Sequence, residues 1–122
     1  MKSLKINRTR WLHDEGTGNS FLHREYDRKM CCLGFYLHSC GLKVADISEY
    51  KSPQDINGKI PTDARWLLHI STDSTICGRL MEVNDYIDND YTLTRESKIK
   101  ELFKEHDVDV VFTGKYPEPM DN

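Results

Sequence analysis

No stretch of this 122-residue chain approaches the roughly 18 apolar residues that a membrane span needs. The first residues also lack the apolar core of a secretory leader, so a cytoplasmic setting is expected and a membrane partner is not. Clustered positive charge is scarce: 17 Lys and Arg stand against 20 Asp and Glu, a formal net charge of −3. Phosphate backbones reward concentrated positive charge, which argues against nucleic acid as a partner. The one local exception, Lys2, Lys5, Arg8 and Arg10, reads as a solubilising device on an edge strand.

Signatures of chemistry are equally sparse. There is no phosphate-cradling glycine loop, since Gly16-Thr17-Gly18 is too short, and no Ser-His-Asp signature or interleaving of aromatic with basic residues. Structural zinc uses two groups of ligands, each with a spacing of about two to four residues. Cys31, Cys32, His38, Cys40, His69 and Cys77 do not follow it. Asp85, Asp88 and Asp90 suggest calcium, but the loop lacks the glycine and glutamate of that motif; the twelfth residue from Asp88 is Ile99. No metal and no cofactor is expected.

What the chain does have is one apolar segment of helix length, Met30-Cys31-Cys32-Leu33-Gly34-Phe35-Tyr36-Leu37-His38-Ser39-Cys40-Gly41. At about 100° per residue, Met30, Leu33, Leu37 and Cys40 form one stripe, with Cys31, Phe35 and His38 beside it and Cys32 and Tyr36 closing most of the rest. A helix apolar nearly all round belongs at the centre of a domain. Gly34 costs about 1 kcal/mol against alanine inside a helix, so its use is to admit another backbone. Gly41 is placed for a left-handed C-terminal cap, and Asp27 is the candidate to complement the N-terminus.

Around that segment the pattern predicts an α+β fold. Residues 3–7 and 108–113 alternate apolar and polar as strands that pair in one small sheet. The sheet packs on a buried central helix at about 30–40, with further helices at about 75–86, capped by Ser74, and 94–106, capped by Thr94. Ile76, Leu80 and Val83 mark the buried face of the first of these, and Ile99, Leu102, Phe103 and His106 that of the second. Asn84 and Asp85 would brace the helix end before them. Residues 42–68 read as a long irregular connection with one helical turn, docked back by Trp66, Leu67, Leu68 and Ile70, and such excursions are commonly functional. Residues 1–114 are expected to form one domain and 115–122, with two prolines and no pattern, a flexible tail.

Four cysteines without a secretory leader read as reduced core thiols. A nucleophilic reading exists: Cys31 or Cys32 would open a helix, whose dipole stabilises a thiolate. His38 lies seven residues on, about 10 Å along the axis at 1.5 Å per residue. It cannot serve as base from the same helix, so His23 or His69 would have to fold against the thiol.

The segment Lys29-Met30-Cys31-Cys32-Leu33-Gly34-Phe35, then Cys40-Gly41, Pro61, Leu80 with Asn84-Asp85, and Ile99, Leu102-Phe103 with Val110 and Phe112, resembles a group of small uncharacterised proteins of tailed phages and prophages. The pattern spans residues 22–112 and its distinctive core is Cys-Cys-Leu-Gly. Members of the group typically carry a further cysteine where this chain has Leu37 or His38, which weakens any shared thiol or metal chemistry. The resemblance implies the cytoplasm of an infected bacterium as the setting.

The expected function is that of a non-enzymatic phage accessory protein, in host takeover or anti-defence, binding a host or defence protein. Tyr50, Tyr86 and Tyr91 are the candidate anchors, with Asp88 and Asp90 in the acidic loop beside them. The alternative is a small-ligand protein for a nucleotide signal, or a thiol enzyme using Cys31 or Cys32; a pocket beside Cys31 and His38 would favour it.

Overall fold

In the computed structural model, which describes residues 2–13, 19–71, 74–85 and 92–115, the two alternating segments form strands β1 (Lys2–Asn7) and, at the other end of the chain, β4 (Val108–Thr113). They pair in parallel, with Leu4 opposite Val110 and Ile6 opposite Phe112. Period-two alternation therefore gathers Leu4, Ile6, Val108, Val110 and Phe112 on one buried face and leaves Ser3, Lys5, Asp109 and Val111 outside. Parallel strands need a long crossover, and here the crossover is nearly the whole chain.

Helices cover that buried face, giving the α+β fold. Helix α1 (Cys32–Ser39) packs against β1, α4 (Thr92–Lys104) packs against β4, and α3 (Ile76–Asp85) touches both helices. Ile99, Leu102 and Phe103 are the buried stripe of α4, followed by half-buried His106. The buried face of α3 is Ile76, Cys77, Leu80, Asn84 and Asp85, with Val83 only partly covered.

Several local expectations change. Met30 and Cys31 precede α1, and His38 and Ser39 are exposed, so its last turn faces solvent. Asp27 does not reach the helix; its carboxylate binds Arg24 Nη2 at 2.6 Å and Lys29 N at 3.2 Å within its own turn. Asn84 of α3 accepts from the Cys32 backbone N–H instead. Thr75, one residue beyond Ser74, caps α3 by accepting from Gly78 N at 3.0 Å, in a short antiparallel pair formed by β2 (Ile70–Ser71) and β3 (Ser74–Thr75). Thr94 already lies inside α4.

Residues 42–68 carry more regular structure than one turn. Helix α2 (Val44–Ile47) is followed by 3-10 segments Pro53–Lys59 and Thr62–Leu68. Ile47, Ile56, Ile60, Ala64 and Leu67 are buried along its length, so it is anchored throughout, whereas Val44 stays exposed. Trp66 secures its end by donating from Nε1 to Tyr36 Oη at 2.9 Å and stacking on His106 at 4.2 Å. Residues 116–122 of the expected tail lie outside the described residues.

Candidate functional site

The thiols come first, because chemistry would begin there. Cys31 is 2% exposed, Cys32 0% and Cys77 1%, and all four cysteines are free. Burial pushes the Cys31 thiol up to about 12 and Cys32 well above its ordinary range, with the nearby Asp85 carboxylate adding to both. Desolvation of a thiolate in an apolar interior outweighs the benefit of a helix N-terminus. The thiol chemistry considered for Cys31 or Cys32 is thus opposed by their surroundings. Iodoacetamide at neutral pH is expected to modify the half-buried Cys40 first and to spare Cys31, Cys32 and Cys77 until denaturant is added, as intact-protein mass spectrometry would register. Rapid native labelling of Cys31 or Cys32 would overturn this.

An open cleft of about 730 Å³ is lined by Arg10, His23, Glu25, Arg28, Met30 and His38, with Val44, Ala45 and Ser48 completing it. Four separate segments build it. Arg10 closes a 3-10 turn (Arg8–Arg10) and is held to Met30 by the Met30 N to Arg10 O bond at 2.9 Å. His23 is 6% exposed; its Nδ1 lies 3.1 Å from Ser48 Oγ and its carbonyl accepts from Glu49 N at 2.8 Å. Burial holds its imidazole below the usual range, while Glu25 and Glu49 pull the other way. His38, on the exposed last turn of α1, has Nδ1 2.9 Å from Leu42 O. A carbonyl only accepts, so Nδ1 carries the proton and Nε2 is left for a ligand.

Arg28 is the unusual member. Its φ of +60° is left-handed, a conformation that costs a residue bearing Cβ about 1 kcal/mol or more. The strain is held by the Arg28 N to Arg24 O bond at 2.7 Å, the Arg24 N to Lys29 O bond at 2.8 Å and the Arg24–Asp27 ion pair. Arg28 and Arg10 are exposed, and neither guanidinium has a hydrogen-bond or ion-pair partner among the described residues. The Arg10 and Arg28 guanidinium groups and the Glu25 carboxylate line the cleft, and the Glu49 carboxylate, which accepts from Glu25 N at 2.8 Å, acts on His23 beside them.

Of the candidate anchors, Tyr50 is 42% exposed, with its carbonyl accepting from Leu22 N at 2.6 Å. Tyr86, Asp88, Asp90 and Tyr91 lie outside the described residues. The fold does bring His38 and His23 to one cleft, and neither Cys31 nor Cys32 lines it. Sequence reasoning missed Arg10 and Arg28. Arg10 stands among charges expected to solubilise an edge strand, and another of these, Arg8, instead forms an ion pair with Glu96 at 2.8 Å. Nothing in the residue order around Arg28 signals a left-handed turn, because no glycine or asparagine stands there.

Among the described residues, no three His, Cys, Asp or Glu side chains gather where a metal could be held, and no helix is long and apolar enough to cross a membrane. No family model, no curated protein and no solved structure matches this chain.

Proposed function

We propose that the protein is a non-enzymatic accessory protein of the tailed-phage type that acts in the cytoplasm of an infected bacterium by binding a host or defence protein. One observation carries the reading. Tyr26 (81% exposed), Val44 (38%) and Tyr50 (42%) are exposed large apolar side chains, and all three stand on two segments laced together by the Leu22–Tyr50, His23–Glu49 and Glu25–Glu49 hydrogen bonds. Exposed tyrosines offer contact area at low entropic cost, the composition of a protein-binding patch. A tagged protein passed through host lysate is expected to retain a stoichiometric partner, and a Tyr26→Ser, Tyr50→Ser double variant to lose it by at least tenfold. Equal background with both proteins would end this reading.

The cleft itself favours a second reading, a small-ligand protein for a nucleotide-type signal. Its volume lies within the range of ligand pockets, and it has convergent polar groups beside His38.

A further inference from the structure

We propose that the cleft between Arg10, His23, Arg28 and His38 is a binding site for the phosphate group of a small phosphomonoester. The inference rests on the small-ligand reading; the partner reading stands or falls separately, by co-purification.

The chemistry of the lining selects the ligand. Guanidinium groups offer planar pairs of N–H donors that match phosphate oxygens, and charge-assisted bonds of this kind are about twice as strong as neutral ones. Arg10 and Arg28 present two such groups with no partner among the described residues. His38 has Nδ1 engaged with Leu42 O, so Nε2 accepts from the O–H of a phosphate monoanion or, once protonated, donates to one of its oxygens. His23, whose Nδ1 is engaged with Ser48 Oγ, stands on the same wall.

Arg28 supplies a second, independent observation. Backbone strain persists where surrounding bonds over-determine it, and it gathers at ligand-binding positions. Here three interactions, the two backbone bonds across the turn and the Arg24–Asp27 pair, hold this one arginine in a left-handed conformation at the cleft. Size gives the third. A bare phosphate would fill a small part of about 730 Å³, and Met30 and Val44 provide apolar wall for the organic part of an ester.

The probes are inorganic phosphate, adenosine 5′-monophosphate and neutral adenosine, titrated by calorimetry into the native protein and into Arg10→Gln, Arg28→Gln and, as a control outside the cleft, Lys5→Gln. The monophosphate is expected to bind more tightly than inorganic phosphate, and adenosine not to bind. Each arginine variant should weaken binding about tenfold, the loss of one charged hydrogen-bonding group, while Lys5→Gln leaves it unchanged. Equal affinity for phosphate and monophosphate, weakened in both arginine variants, would keep the anion in the cleft with free phosphate as its source and overturn the ester. Arg28→Gly, which relieves the positive φ, should also lose affinity while melting no lower than the native protein, separating ligand binding from folding. Monophosphate binding that ignores both arginine variants would keep the ligand reading and overturn this site. Binding that Lys5→Gln weakens equally would reduce it to unspecific charge attraction and overturn it too. No binding of any probe would remove both.

Discussion

Asn84→Ala is expected to destabilise the protein by about 4 kcal/mol, enough to leave a chain of typical stability marginal. Asn84 is 1% exposed, and its amide is fully used. Oδ1 accepts from Trp11 Nε1 at 2.8 Å and from Cys32 N at 3.1 Å, while Nδ2 donates to Leu12 O at 3.0 Å and to Asp85 Oδ1 at 2.9 Å. Asp85 in turn accepts from the Ser20 backbone N–H at 3.1 Å and from the Ser20 hydroxyl. One amide therefore ties the segment after β1, the N-terminus of α1 and the end of α3. Removing it strands a buried indole N–H, a backbone N–H, a carbonyl and part of a carboxylate, each costing about 1–3 kcal/mol less whatever water re-enters. Urea unfolding followed by tryptophan fluorescence would measure the loss, and a change under about 1.5 kcal/mol would refute the account.

The variant Asn84→Asp tests the same knot by pH. It replaces the donor facing Asp85 with a second carboxylate, and two buried carboxylates in contact cannot both ionise cheaply. The pair's folded pKa is then raised above its unfolded value, so the variant should regain stability as pH falls from 7 toward 5, against the trend of ordinary acid unfolding. A monotonic loss on acidification would contradict this.

Gly34→Ala is the second large effect, expected at about 3 kcal/mol or more by the same measurement. A Cβ at Gly34 would stand 1.8 Å from Leu22 O and 2.7 Å from Leu22 C, and 3.1 Å from Met30 Cβ. The obstacle is backbone, and Leu22 is fully buried with its N–H bonded to Tyr50 O, so it cannot swing aside as a flexible side chain would. Alanine gains about 1 kcal/mol of helix propensity, which the overlap exceeds. Gly58→Ala is the matched control: nothing lies within 4 Å of its Cβ position, so the change should be neutral or slightly stabilising. A tolerated Gly34→Ala would mean that the contact between α1 and the chain at Leu22 is looser than described. Since Leu22 precedes His23, the same substitution should also disturb the cleft.

The two experiments differ in how far residue order anticipates them. A glycine inside an apolar helical run announces a close approach, and Gly41 at φ +110° likewise takes the left-handed cap expected of it. The identity of the approaching backbone, 12 residues upstream of Gly34, is not a local property. Asn84 is harder still. A polar residue in the last turn of an amphipathic helix has the same local pattern whether it ends in water or at the meeting point of three segments, and the brace expected within its own helix proved to join other elements.

What this sequence determines alone is whatever depends on periodicity and on a residue's own backbone preference. It sets the two alternating strands, the apolar helix at the centre, the buried stripe of α4, and hence the α+β class, because burial imposes periods of 2.0 and 3.6 on neighbouring residues. Tertiary structure alone decides the parallel pairing of β1 with β4, the burial of Cys31 and Cys32 outside the cleft that His23 and His38 line, and the convergence of Arg10 and Arg28 on that cleft. These are contacts between segments far apart in the chain. Their energies are set by which surfaces exclude water together, and no pattern within one segment records that.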